Sequence, residues 1–185
     1  MNDEKDLTVK EAFGLAVKNH QEGKIDIAQK LYNQVLKIDP NYAKAHNNLG
    51  IIFKGLGENQ KEKECYEKAI EIDPNYIVAY NNLGTLSMEL KEYQKAKEYY
   101  KKAIEIDPNL ASANFNLGVV QDRLHDFKEA AILYKKALDL NPLDKKSLVA
   151  YGKVMLRLNE YEKGLEYIEK GQGVIKFTST YCKVV

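Results

Sequence analysis

The chain is poor in the residues that most often carry chemistry. It has three histidines, two cysteines and no tryptophan among its 185 residues. His20, His46 and His125 stand far apart, and none has a second ligand three or four positions away in metal spacing. Cys65 and Cys182 form neither a metal motif nor a disulfide framework, which fits a reducing compartment. There is no glycine-rich phosphate loop and no nucleophile–base motif. An excess of one charge is also missing. Lysine and arginine number 28 against 27 aspartates and glutamates, a balance that argues against wholesale nucleic-acid binding. No apolar run approaches the roughly 20 residues that span a bilayer. The stretch Met1–Leu7 lacks the basic start and apolar middle of a secretory signal. The expectation is a soluble, cytoplasmic, non-catalytic protein with no cofactor, no metal, no membrane span and no nucleic-acid partner.

Proline is scarce too, and its four positions are informative. Pro40, Pro74, Pro108 and Pro142 keep one register of 34 residues, in the phrases Ile38-Asp39-Pro40, Ile72-Asp73-Pro74, Ile106-Asp107-Pro108 and Leu140-Asn141-Pro142. A second phrase keeps the same beat: Asn47-Asn48-Leu49-Gly50, Asn81-Asn82-Leu83-Gly84 and Phe115-Asn116-Leu117-Gly118. Self-similarity at a fixed period of this size signals a stacked-repeat architecture. Five repeats are expected, at 9–42, 43–76, 77–110, 111–144 and 145–178. A frayed tail precedes them at 1–8, and a second tail follows at 179–185. Each repeat reads as two helices, A and B. In the third, Ala79, Tyr80, Leu83, Leu86 and Leu90 recur at steps of three and four, the helical period. Thr8-Val9-Lys10-Glu11 is a capping box for the first helix. Proline disfavours helix in the residue before it, so each Asp-Pro closes a B helix.

Small residues at fixed positions give a packing rule. Gly50, Gly84, Gly118 and Gly152 on helix A, with Ala28, Ala96 and Ala130 on helix B, let the two helices approach closely. Tyr32, Tyr66, Tyr100 and Tyr134 fill the space beside them. Glu62 breaks the rule in the second repeat, and is expected to turn its carboxylate outward or to loosen that contact. The fifth repeat is degenerate, with Gly164 and Gly171 for alanine and no proline, and its last helix is expected to end near Gly171. The stretch from there to Val185 is apolar and β-prone.

These residues resemble the tetratricopeptide repeat family over about 9–171. Its pattern is matched in the third repeat by Tyr80, Leu83, Gly84, Ala96, Tyr100, Ala103 and Pro108. The fourth repeat matches with Leu117, Gly118, Ala130, Tyr134, Ala137 and Pro142, with Asn114 at the large position. The resemblance implies an all-α fold, a right-handed superhelical solenoid of five helix-turn-helix repeats whose A helices line a concave groove. It also implies a scaffold that binds a peptide segment of a partner protein there. Carried over by position, the groove contacts are Asn48, Asn82 and Asn116, flanked by Asn47, Asn81 and Phe115. A carboxamide offers both donor and acceptor, so such a row suits a peptide backbone. Phe13, Ile51, Met88, Val119 and Leu156 would add apolar pockets.

Charge at groove positions is uneven. Lys10, Lys44, Lys54, Arg123, Lys146, Lys153 and Arg157 face only Glu89 and Asp122, so an acidic partner is expected and the compensating acid should lie on the convex face and the ends. Phe13 and Val17 replace the lysine and asparagine of the family's chaperone clamp, so no such clamp is expected. Two alternatives stay open. The chain is the substrate-recruiting front of a larger enzyme of glycosyltransferase or oxygenase type, or it self-associates through an uncapped C-terminal end.

Overall fold

The computed structural model describes residues 8–173, 175–177 and 182–184. Two compact units follow one another, Met1–Leu83 and Gly84–Val185. The first holds α1 (Val9–Gln21), α2 (Ile25–Ile38), α3 (Ala43–Gly55), α4 (Asn59–Ile72) and the start of α5 (Ile77–Glu89). The second holds the end of α5, then α6 (Tyr93–Ile106), α7 (Ala111–Arg123), α8 (Phe127–Leu140), α9 (Lys145–Arg157) and α10 (Tyr161–Gln172). Odd-numbered helices are the expected A helices and even-numbered ones the B helices, with starts that recur at the sequence period. A short antiparallel hairpin follows, β1 (Ile175–Phe177) paired with β2 (Cys182–Val184) in the register Lys176 to Lys183. The β-prone stretch after Gly171 thus pairs with itself. Residues 1–7 of the first tail, and 174, 178–181 and 185, lie outside the described residues.

The helix ends show why the punctuation recurs. Thr8 forms the capping box: the Glu11 N–H donates to Thr8 Oγ1 at 3.3 Å and the Thr8 N–H donates to Glu11 Oε2 at 3.0 Å. Asp39, Asp73 and Asp107 each accept on Oδ1 from the N–H two residues on, that of Asn41, Asn75 and Asn109, at 3.0, 3.0 and 2.9 Å. The phrase Asp-Pro-Asn is therefore an aspartate-capped turn between repeats, with the proline holding the chain out of helix.

Each A helix ends in one left-handed residue: Gly23 (φ 73°), Gly57 (φ 72°), Lys91 (φ 60°), His125 (φ 63°) and Asn159 (φ 66°). The next N–H closes the end by donating back to a carbonyl five residues earlier. Lys24 to Asn19, Glu58 to Phe53, Glu92 to Ser87, Asp126 to Gln121 and Glu160 to Met155 span 2.8–3.0 Å. Two of these five helix ends use glycine at that position. The others hold a Cβ where glycine costs least.

Packing within the first four helix pairs centres on a tyrosine. Tyr32, Tyr66, Tyr100 and Tyr134 are the largest fully buried side chains. A Cβ added at Gly84 would stand 2.6 Å from Tyr100 Cε1, and one at Gly118 2.8 Å from Tyr134 Cδ1. At Gly50 it would collide with the Tyr66 ring. The glycine of helix A is therefore the seat of the helix B tyrosine of the same repeat. In the α9–α10 pair the ring is absent and the backbones close up instead: a Cβ at Gly152 would stand 2.6 Å from the Gly164 carbonyl oxygen.

Glu62 departs from expectation. Its carboxylate is not turned outward, since the residue is 1% exposed. It lies on one stripe of α4 with Tyr66 and Ala69, the buried face of that helix, and the backbone carries the side chain inward with them. Tyr66 still seats on Gly50, so the contact is not opened.

Gly118→Leu is expected to lower the free energy of unfolding by about 2 kcal/mol or more, because it overpacks a rigid ring. Adding Tyr134→Ala should recover part of that loss, so the double variant is less unstable than the two single losses combined. Urea unfolding of the four chains measures both. In the same assay Lys91→Gly is expected to stabilise by about 0.5–1 kcal/mol, by relieving the left-handed Cβ.

Candidate functional site

The asparagine row and the basic cluster have different fates. In the first unit Asn48 and Asn82 are tied into a chain of side-chain bonds. Asn82 Nδ2 donates to Asn47 Oδ1 at 3.0 Å, Asn47 Nδ2 donates to Asn48 Oδ1 at 3.3 Å, and Asn48 Nδ2 donates to the Tyr32 hydroxyl at 3.0 Å. Asn47 is 2% exposed and lies on the core face of α3, so it is a buried link and not a surface contact. Asn48, Asn81 and Asn82 are half-buried. Lys44 and Lys54 are exposed on α3. The chain spends the Asn48 carboxamide on both sides, while Asn82 Oδ1 has no hydrogen-bond donor among the described residues.

The second unit contains a cleft of about 870 Å³. Cations stand around it: Arg123 from the end of α7, and Lys145, Lys146, Lys153 and Arg157 from α9. All five are exposed. Steps of seven and four put Lys146, Lys153 and Arg157 on one stripe of the helix, and the step of four from Lys145 through Val149 to Lys153 adds a second. Val119, Phe127, Val149 and Ala150 supply apolar lining, and His125 stands at its edge on its left-handed backbone. Asp122 also lines the cleft, but its carboxylate is paired with the Arg157 guanidinium, which lies 5.2 Å over the Phe127 ring. Arg123, Lys145, Lys146 and Lys153 have no carboxylate at ion-pair distance among the described residues. Burial, with the Asp122 carboxylate nearby, pushes the phenol of Tyr134 in the lining well up, so it stays neutral.

Asn116 and Phe115 belong to a smaller neighbouring cleft of about 300 Å³, with Asn141, Asp144 and Ser147. Lys146 lines both clefts. The structure thus brings together Arg123, Lys146, Lys153 and Arg157, with Asn116 and Phe115 beside them. Leu156 is a correction: a Cβ on Gly164 would stand 2.6 Å from its Cδ2, so it packs between α9 and α10. Lys145, His125 and Phe127 were missed. The four-residue step to Val149 and Lys153 was a signal for Lys145. The left-handed turn that sets His125 had none.

The compensating acid is more local than expected. α3 and α9 carry none. Exposed pairs such as Lys63–Glu67, Lys102–Glu105 and Lys135–Asp139 lie within B helices, and the repeat turns hold Asp39, Asp73 and Asp107. Burial pushes the Cys65 thiol up to about 11, so at neutral pH it is no nucleophile. Among the described residues no group of histidine, cysteine and acid could hold a metal ion, and no helix is long and apolar enough to cross a membrane.

Tetratricopeptide repeat family models match residues 19–57, 43–76, 77–110 and 111–144. The chain belongs to the tetratricopeptide repeat family. Its fold is the all-α helical-repeat solenoid of that family, with the hairpin appended. No curated protein matches it in sequence. Among solved tetratricopeptide structures, pilF of Pseudomonas aeruginosa is 24% identical with a TM-score of 0.81, over 91% of this chain and 78% of that one. MamA is 25% identical at 0.76, over 84% and 91%. YrrB, described as a tetratricopeptide protein with an unusual peptide-binding site, is 20% identical at 0.74, over 91% and 87%.

Asn82→Ala is expected to lower stability by about 1–2 kcal/mol, because it leaves the buried Asn47 Oδ1 without its donor. Chemical unfolding of the wild type and the variant measures it. Unchanged stability would remove the asparagine chain from the account of the fold.

Proposed function

We propose that the protein is an interaction scaffold that takes an extended, acidic segment of a partner protein in the cleft between α7 and α9. The observation that carries this reading is the set of four cations around an apolar lining, Arg123, Lys145, Lys146 and Lys153, with no carboxylate at ion-pair distance from them among the described residues. Helices hold their own charges in short-range pairs elsewhere, so an unspent group of like charges beside apolar surface suits a ligand of opposite sign. Apolar lining supplies affinity by burial, and the cations supply orientation and speed of encounter. Asn116 and Phe115, joined to the cleft through Lys146, extend it, and Asn82 Oδ1 is left to meet a peptide N–H in the first unit. The same fold carries a peptide-binding site in YrrB. We infer also that α9 and α10 form a fifth repeat after the four matched ones. No catalytic role is proposed: burial keeps the shifted tyrosines and the Cys65 thiol protonated, and the shifted carboxyls and lysines, Asp144 and Lys170 among them, are held by hydrogen bonds to neighbouring side chains.

Ala150 lies in the apolar lining and is half-buried. Ala150→Tyr is expected to abolish capture of peptides from a synthetic array of random twelve-residue sequences, while Ile132→Tyr, on the exposed face of α8, leaves capture unchanged. Fluorescence readout of the array and circular dichroism of both variants make the test. The same peptides bound equally by Ala150→Tyr would remove the cleft from the function.

A further inference from the structure

The cations of the cleft are not one cluster but two. Lys145 and Lys146 open α9, while Lys153 and Arg157 close it, and Arg123 joins the second group from the end of α7. Between them the wall is Val149 and Ala150, without charge. At about 1.5 Å of rise per residue, the two groups stand roughly 10–18 Å apart along the helix. An extended peptide covers that span in about four residues, at roughly 3.3 Å each.

We propose that the ligand is a two-ended acidic segment: an acidic side chain at each end and an apolar residue between them, about four positions from acid to acid. This rests on the peptide-scaffold reading and adds its spacing. Charge complementarity selects the ends, and the apolar middle suits Val149 and Ala150. At the far end Arg157 is already held by Asp122 and stacked on Phe127, so its guanidinium is preorganised while Arg123 and Lys153 remain to meet the incoming carboxylate. At the near end Asp144 spends its carboxylate on capping α9, accepting from the Ser147 N–H at 2.8 Å and the Ser147 hydroxyl at 2.5 Å. The Asp144 carboxylate also lies near the Lys146 charge, but neither Lys145 nor Lys146 has a carboxylate at ion-pair distance among the described residues, so both can meet the ligand there. A chain terminus is not required, since the acids are side chains.

The test uses the full chain and three fluorescein-labelled peptides, acetylated and amidated so that no terminal charge contributes. The first carries glutamates four positions apart around alanine-leucine-alanine. The second has the same composition with both glutamates at one end. The third replaces both by glutamine. Anisotropy at low and at physiological salt is expected to rank the spaced peptide roughly tenfold above its clustered isomer, and the glutamine peptide lower still, with the gap narrowing in salt. Lys145→Glu with Lys146→Glu, and separately Arg123→Glu with Lys153→Glu, should each weaken the spaced peptide by about tenfold or more. All four positions are exposed, and circular dichroism checks that the variants keep their helices. The corresponding glutamine variants, which remove charge without reversing it, should give a smaller loss in the same order. Equal binding of the spaced and clustered peptides, or insensitivity to one of the two reversals, overturns the two-ended ligand and leaves the cleft as a peptide site. Equal binding of the glutamine peptide overturns its acidity. Binding of none of the three by the wild type overturns this inference, and survival of array capture would then keep the broader reading.

Discussion

A tyrosine ring seated on a glycine sets the distance between the two helices of a repeat, and most of the remaining structure follows from that distance. The ring of Tyr100 lies over Gly84 and that of Tyr134 over Gly118, with no room for a Cβ. The rings are buried on both sides, so the hydroxyls need partners or water. Tyr100 shares a bond with Thr85 at 3.1 Å, and Tyr32 accepts from Asn48 at 3.0 Å. Once the ring fixes the pair, one face of each A helix is committed to its own B helix. What remains of α7 and α9 stands free to form a cleft. The Schellman closure then ends every A helix with the same backbone bond. It does so whether the left-handed residue is glycine, lysine, histidine or asparagine, because the bond made by the following N–H repays the strain.

Charge is distributed by the same geometry. B helices show lysine and glutamate three or four positions apart, which pair along the helix and contribute little individually. The turns spend aspartates on capping. α9 takes the second device at its start, where Asp144 caps it, but not the first, and within its own length it has four cations and no acid. Such a surface is costly to assemble in isolation, since like charges repel across one wall. It is tolerated because each lysine is exposed and screened. The asymmetry is thus a local feature of α9 within a nearly neutral chain, and it is where an acidic partner gains most.

The amides illustrate how one residue type divides its work. Asn47, one position before Asn48, faces inward and links Asn82 to Asn48. Asn114, in the place of a large apolar residue, is fully buried and donates to the Leu110 carbonyl at 3.0 Å. Its Oδ1 is buried without a hydrogen-bond partner among the described residues, so that side chain is satisfied only in part. The bonds among Asn82, Asn47 and Asn48 give the first unit a polar seam beside its alanine and tyrosine core, and they tie the stability of that unit to residues that read as ligand contacts.

Much of this was legible in the chain. The period of the prolines and of Leu-Gly fixes the helix pairs, because each repeat is a local unit with its own cap, turn and glycine seat. Thr8 and Glu11 specify a capping box within four residues. The stripe of Lys146, Lys153 and Arg157 is readable because helical spacing alone places them on one face. What the sequence could not decide depends on contacts between distant segments. Glu62 is buried because its backbone position lies on the stripe of Tyr66, whatever its charge prefers. Asn47 and Asn48 differ only by a rotation of about 100° about the helix axis, yet one is a core link and the other a half-exposed donor. The pairing of Asp122 with Arg157 joins α7 to α9, and it decides which cations of the cleft are left for a partner. Period and capping are properties of neighbouring residues, so the sequence determined them. Burial and pairing are properties of surfaces brought together, so only the tertiary structure did.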